Sequence, residues 1–380
     1  MTAQPHTIRL ADLTTLRVGG PTGHVHEVTS EAEFIDAVRE TDEAGTPLLV
    51  LGGGSNLLVA DEGFDGVVVR DARRTIEGGY DGACAGASVT VSAGTPWDEF
   101  VIAAVENEWM GVEALSGIPG SVGAAPVQNV GAYGQEVAET IAAVRVWDRL
   151  EGRARLLPLA TLGFGYRTSI LKRSLTSTVE GGGRTWGPTG RYVVLDVTFQ
   201  MRGASLSAPI RYAELARSLD VAIGDRVPAT DVREAVLALR RGKGMVLDDA
   251  DHDTWSAGSF FTNPVLDDAH AATLPADAPR FPVADAGART NIADAPPAVE
   301  GLVKTSAAWL IDHAGFTKGF ALDGAEGRAS LSTKHVLALT NRGEASAADL
   351  LALARTVRDG VRDAFGVSLE PEPVLVGVSL

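Results

Sequence analysis

Lysine is scarce in this 380-residue chain. Only Lys172, Lys243, Lys304, Lys318 and Lys334 occur, and the formal net charge is −16. That balance argues against the basic face of a nucleic-acid binder and against a polybasic membrane contact. Cysteine is scarcer still: Cys84 stands alone, so no disulfide can form within the chain. No apolar run approaches a membrane span. The N-terminal MTAQPHTIRLADLTTLRVGG has no apolar core behind a basic start, so no signal peptide is expected. Together these absences predict a soluble cytoplasmic protein. Familiar catalytic signatures are missing too: there is no GxxxxGK[ST], CxxC, HExxH or GxSxG. His24 and His26 read as two surface histidines, and no metal is expected. Any redox chemistry in such a chain must be carried by an organic cofactor.

What is present is an ordinary globular composition, 45% apolar, long enough for two or three domains. The first third mixes helices and strands. Ser30 and Glu33 form a capping box before FIDAVRET. Residues 46–71 read as strand, glycine turn and strand, and ASVTVSAG alternates as a strand. Thr95 and Pro96 open a helix through WDEFVIAAVENEW, with Pro at its first position. IAAVRVWD and RYVVLDVTFQM are strands, and 175–190 is a loop. Further on, TDVREAVLALRRGKG is an amphipathic helix with Val232, Ala235, Val236 and Leu239 on one face. TSAAWLIDHAG is a short helix ended by Gly315. SAADLLALARTVRDGVRDAFG is a long one, capped at Ser346 and stopped at Gly366. Residues 265–300, rich in Asp, Ala and Pro, read as a long irregular connection, and LEPEPVLVG as a strand-like tail.

Two glycine stretches stand out. GGGSN at 52–56 follows a strand but does not match GxGxxG, and no helical period follows it, so a pyrophosphate on a helix N-terminus is not supported there. SGIPGSVGAAPVQNVGAYGQE at 116–136 has five glycines, two prolines and no Lys or Arg. Such backbone comes close to a ligand and can hold an anion with its N–H groups; a buried, tightly turned connection is the equal alternative.

The pairing of these stretches within an α+β segment resembles the FAD-binding domain of the vanillyl-alcohol-oxidase type. RVGGP (17–21), LGGGSNLL (51–58), the 116–136 stretch, FGYRTSILK (164–172), AGSFFTNP (257–264), AAWLID (307–312) and LEPEP follow in order. That series is similar to the UDP-N-acetylenolpyruvoylglucosamine reductase family, over nearly the whole chain. IRYAEL (210–215) resembles the form with an extra tyrosine loop. Three local departures accompany the match. The 175–190 loop is long, Thr262 stands where Lys is common, and 244–256 is longer and more acidic.

The resemblance implies an α+β chain with a two-subdomain FAD-binding module (1–77 and 78–224), a C-terminal α+β substrate-binding domain (225–366) and a tail (367–380) returning to the active site. It implies an FAD-dependent oxidoreductase that uses NADPH to reduce UDP-N-acetylglucosamine enolpyruvate to UDP-N-acetylmuramate. That reaction serves peptidoglycan synthesis, cell wall biogenesis, cell shape and cell division. Arg167, Ser259 and Glu372 match the catalytic residues. Tyr166, Tyr212, Lys243, Asn263 and Lys318 match the substrate residues. Gly52, Gly53, Gly54, Ser55, Asn56, Ile118, Pro119, Gly120 and Gly123 match the cofactor set. The FAD is expected to be non-covalent and the protein monomeric. Without the motifs, Arg167 reads as a surface arginine, Glu372 as an exposed acid, Ser259 as a loop serine and Tyr212 as core packing. Two rivals remain at this point: another flavoenzyme of the same binding fold, and a non-catalytic flavin or nucleotide-sugar binder.

Overall fold

The computed structural model describes residues 8–80, 86–284, 297–324 and 326–380. The chain divides into two compact units. One comprises residues 1–24, 54–66 and 243–380, and the other 25–53 and 67–242.

The 25–53/67–242 unit is built on an antiparallel sheet. Its strands run in the order Arg153–Pro158, Ile141–Asp148, Tyr192–Gly203, Ala87–Ser92, Ile76–Tyr80. Val197 is the register centre, opposite both Val144 and Val91. Alternation does the sorting. Ala87, Val89 and Val91 are buried, while Thr90 faces the other side and pairs with Thr198 at 3.0 Å. The helix Trp97–Glu106 covers the apolar face with Trp97, Phe100, Val101 and Ala104, spaced as one helical stripe. Phe100 stacks on Phe199 at 4.4 Å. Burying each of these large side chains contributes about 2 kcal/mol. Pro96 sits at the N-cap of this helix, one residue outside the first-turn position expected from sequence. Its ψ of 135° is extended, so the helical turn begins at Trp97. A second layer joins the capped helix Glu31–Glu43 to the parallel pair Leu48–Leu51 and Val67–Arg70. Phe34, Val38, Leu48, Val69, Trp147 and Leu195 form its core.

The 175–190 segment contains no strand or helix, as expected, but it is tightly held. Buried Trp186 has the guanidinium groups of Arg184 (3.4 Å) and Arg149 (4.6 Å) over its ring and donates to the Gly181 carbonyl at 2.7 Å. Thr189 Oγ1 accepts the Val50 N–H at 2.7 Å.

In the other unit the long helix Ala347–Phe365 buries Leu350, Leu351, Leu353, Ala354, Val357 and Val361. It has a Ser346–Asp349 capping box and ends at Gly366 with φ +70°. The Asp61 carboxylate accepts its first N–H groups, from Ala347 (2.8 Å) and Ala348 (3.0 Å), an anion at the positive end of the helix dipole. Leu310, Ile311, Phe260, Phe261 and Leu369 complete that core. The tail strand Val374–Val376 pairs in parallel with Leu57–Val59.

Residues 265–300 are not an irregular connection where they are described. They contain the strand Val265–Asp267, the helix Asp268–Thr273 and the strand Arg280–Ala284, and Ala298 opens the strand Ala298–Thr305 that pairs with both. The aspartates that read as loop residues serve the helix instead: Asp267 accepts the His270 N–H at 2.7 Å as its N-cap. Among the described residues no helix is long and apolar enough to cross a membrane. His24 and His26 are exposed, and no group of described residues is arranged to hold a metal ion. Cys84 lies outside the described residues.

Candidate active site

The 116–136 stretch is fixed by its main chain. Gly120 O accepts the Trp97 N–H (3.0 Å), while Val122 and Gly123 donate to Thr95 and Ala93 carbonyls (2.8 and 2.9 Å). These bonds lay it along the start of the Trp97–Glu106 helix. Asp98 on that helix accepts the Gly117 N–H at 2.6 Å and a bidentate pair from Arg233 at 2.7 Å each. Burial would raise the Asp98 carboxyl, but Arg233 and the Gly117 N–H together hold it below its ordinary value.

Two glycines show why side chains are excluded. A Cβ on Gly53 would lie 2.7 Å from Gly120 Cα, and one on Gly123 would lie 2.5 Å from Ala93 Cβ. Main chain therefore meets main chain, and Gly53 remains exposed while Ile118, Pro119 and Gly120 are half-exposed. In the other unit, a Cβ on Gly54 would fall 1.9 Å from Leu13 O, and φ there is +63°. The close approach of Gly53 to Gly120 leaves a small-side-chain surface that fits a cofactor pyrophosphate held by backbone N–H groups.

Arg167 is seated on the same stretch. It has φ +54°, and its guanidinium donates to Gly131 O (2.8 Å) and Asn129 O (3.4 Å). The turn beneath it is closed by Gly165 and Thr168, which exchange backbone bonds. Ser169 Oγ donates to Val127 O at 2.5 Å. Asn129, fully buried, was not singled out in the sequence. It donates to Glu136 (2.8 Å) and Gly165 O (3.1 Å) and accepts from Ala138 N (3.2 Å), so it ties the arginine turn to the glycine stretch. Tyr166 lies 5.7 Å from the Arg167 guanidinium.

Tyr212 is not core packing. It is the N-cap of the helix Ala213–Leu219 and is 44% exposed. Its ring meets Tyr133 edge-on at 5.6 Å. Arg240 was also overlooked in the sequence. It sits half-buried near the end of the helix Ala229–Gly242, where burial draws its pKa below the ordinary value while Tyr133 and Asp98 pull the other way.

In the 1–24/54–66/243–380 unit, the tail pairs with the segment that follows Ser259. The Glu372 N–H donates to Phe260 O (2.8 Å), Thr262 N–H donates to Glu370 O (3.0 Å), and Phe261 bridges Pro371. On the other side Val374 N–H donates to Asn56 O (3.0 Å), and Asn56 Nδ2 donates to Glu372 O (3.3 Å). Glu372 is buried, not an exposed C-terminal acid. Ser259 is half-buried beside Phe260 and Phe261, each 1% exposed. Asn263 Oδ1 accepts the Ala307 N–H at 3.0 Å, at the start of the helix Ala307–His313. Lys318 is exposed past that helix, and Lys243 is half-buried after Gly242.

The acidic 244–256 segment is neutralised locally. Asp251 pairs with Lys334 at 2.5 Å and Asp253 with Arg342 at 2.9 Å, and Arg17 pairs with Asp249. Arg17 also lies 4.0 Å from the Trp255 ring.

Residues 22–155 match a family model described as an FAD binding domain. Residues 249–376 match one described as UDP-N-acetylenolpyruvoylglucosamine reductase, C-terminal domain. The chain is 52% identical to the UDP-N-acetylenolpyruvoylglucosamine reductase of Cutibacterium acnes, covering 98% of this chain and 90% of the relative. It is 55% identical to that of Saccharopolyspora erythraea, covering 98% and 95%. The crystal structure of the Thermus caldophilus enzyme aligns over 98% of both chains with a TM-score of 0.61 and 26% identity. The α+β fold, with an FAD-binding module followed by a C-terminal domain, and similarity sustained at this level over nearly the full length place the chain in the UDP-N-acetylenolpyruvoylglucosamine reductase family.

Proposed function

We propose that Arg167, Ser259 and Glu372 carry the reaction of this chain. The protein is an FAD-dependent oxidoreductase that reduces UDP-N-acetylglucosamine enolpyruvate to UDP-N-acetylmuramate with NADPH, for peptidoglycan precursor synthesis. When bound, FAD supplies two-electron transfer from NADPH to the enolpyruvyl methylene carbon. Gly52, Gly53, Gly54, Ser55, Asn56, Ile118, Pro119, Gly120 and Gly123 would hold it, without a covalent bond.

The remaining chemistry belongs to side chains. Hydride addition leaves negative charge on the adjacent carbon, spread into the carboxylate. Arg167, held by two carbonyls, offers a planar guanidinium to that charge before it forms. Ser259 then gives its hydroxyl proton to the carbon. A serine hydroxyl is a weak acid, so it can act only on a strongly basic centre. The apolar Phe260 and Phe261 keep competing water away. Glu372 supports the proton path back to Ser259. The observation that carries this reading is the tail pairing, which commits Glu372 N–H to the carbonyl of the residue after Ser259. Tyr166, Tyr212, Lys243, Asn263 and Lys318 hold the UDP-sugar. The residue divisions 1–77, 78–224, 225–366 and 367–380, a monomeric state, a cytoplasmic location and roles in cell shape and division belong to the same proposal.

The test is the absorption spectrum of the purified protein. Flavin bands should bleach on adding NADPH and return on adding the enolpyruvyl substrate, and acid precipitation should release all the colour. Bands that bleach with NADPH but never recover with the enolpyruvyl compound would refute the substrate.

A further inference from the structure

We infer that Tyr133 is a positioning residue: from a strained hairpin tip it sets the ring of Tyr212, and thereby the protein's hold on the UDP-sugar. The inference rests on the reading of Tyr212 as a substrate contact. Tyr133 and Gly134 form the two-residue turn between Gly131–Ala132 and Gln135–Glu136, which pair antiparallel. Both turn residues have positive φ, +47° and +83°, as a tight turn of mirror-image type requires. Glycine or asparagine occupies such a position without difficulty, whereas an aromatic there is strained. Strain of this kind persists where a side chain is needed.

The ring packs on the small core of Ile210, Leu215, Ala216, Val232 and Val236. It meets Tyr212 at an interplanar angle of 89°. The hairpin backbone fits the same segment, since a Cβ on Gly134 would lie 2.9 Å from Arg211 Cβ. Buried Glu113 fixes the spacing: it accepts Gln135 Nε2 (2.9 Å) from the hairpin and Ala208 N–H (2.6 Å) from the segment leading to Tyr212. The opposite end of the hairpin carries the Gly131 carbonyl that holds Arg167. Tyr212 is otherwise a half-exposed ring at the cap of a seven-residue helix, and the Tyr133 edge is the ring contact that orients it.

The experiment measures steady-state kinetics and the two half-reactions in Tyr133→Gly, Tyr133→Phe, Tyr212→Ala and the Tyr133→Gly/Tyr212→Ala double variant. Tyr133→Gly keeps the turn while removing the ring, so flavin content should be retained. Its KM for the UDP-sugar should rise about tenfold, the order of one edge-to-face aromatic pair. Its rate of flavin reduction at saturating NADPH should be unchanged. Tyr133→Phe should stay within about twofold of wild type, because the ring edge survives. The double variant should fall short of additivity, since Tyr133 and Tyr212 share one ring contact. An unchanged KM in Tyr133→Gly, or additive effects in the double variant, would overturn the inference. If Tyr212→Ala alone leaves KM unchanged, the substrate reading of Tyr212 fails, and the positioning role falls with it. That result is distinguishable because it appears in the single variant.

Discussion

Ser259→Ala separates chemistry from architecture at the scale of one atom. Phe260 N–H donates to Leu337 O (2.7 Å) and Phe260 O accepts from Glu372 (2.8 Å), so the local backbone does not depend on the hydroxyl. NADPH should reduce the variant's flavin at nearly the wild-type rate. Reoxidation by the enolpyruvyl substrate should collapse beyond the roughly 10²–10⁴-fold usual for one acid–base group, because a dry site offers no replacement acid. Stopped-flow absorbance resolves the two steps, and equal slowing of both would mean that Ser259 only positions. Arg167 and Glu372 stand out in the sequence through the motifs around them, and their catalytic roles are proposals. Asn129 does not stand out. An asparagine in a glycine-rich stretch reads equally well as a turn residue, and its role lies in bonds to Gly165 and Ala138, 36 and 9 positions away. Glu113 has the same character. Replacing it with Ala would strand the part-buried N–H groups of Gly111 and Ala208 and the buried amide of Gln135, the buried donor alone costing about 1–3 kcal/mol.

Helices were legible where their ends carry chemistry. The box at Ser30/Glu33, the cap at Ser346 and the stop at Gly366 all stand where the sequence put them, and the structure adds Asp349 as the partner that completes a box with Ser346. Residues 265–300 misled because Asp and Pro serve caps and edge strands as readily as loops, and the pairing of Val265 with Lys304 has no local signature. The long helix also carries a pH-dependent contribution. Arg328 hydrogen bonds to Asp349, with help from the Ser346 cap, lower its pKa from 3.8 to about 2. A depressed carboxyl stabilises the fold fully above its unfolded pKa, and that stability drains away as pH falls through the folded value. The window is therefore roughly pH 4 down to pH 2, and screening at this partly exposed pair reduces the effect to about 1 kcal/mol. Asp349→Asn should melt lower than the parent at pH 7, and the gap should narrow at pH 2.5. A gap independent of pH would assign the effect to the cap geometry alone.

At the scale of the whole molecule the decisive fact is how few lysines a −16 chain can offer two ligands that each carry a diphosphate. Of its five lysines, Lys334 is committed to Asp251 at 2.5 Å, and only Lys243 and Lys318 match substrate residues. NADPH and the UDP-sugar each carry a diphosphate, and each must present its reacting carbon to the same flavin. One set of residues, Tyr212, Lys243, Asn263 and Lys318, is therefore proposed to serve both ligands in turn. The consequence is kinetic. NADP must leave before the sugar enters, so double-reciprocal plots should be parallel, and high UDP-sugar should inhibit by occupying the oxidised enzyme. Lys243→Ala should raise KM for both ligands, because a shared diphosphate grip cannot be weakened for one alone. Initial rates over a grid of both substrates decide the matter: intersecting lines with a ternary complex detectable by equilibrium binding would require a second anion site, which the matched residues do not supply.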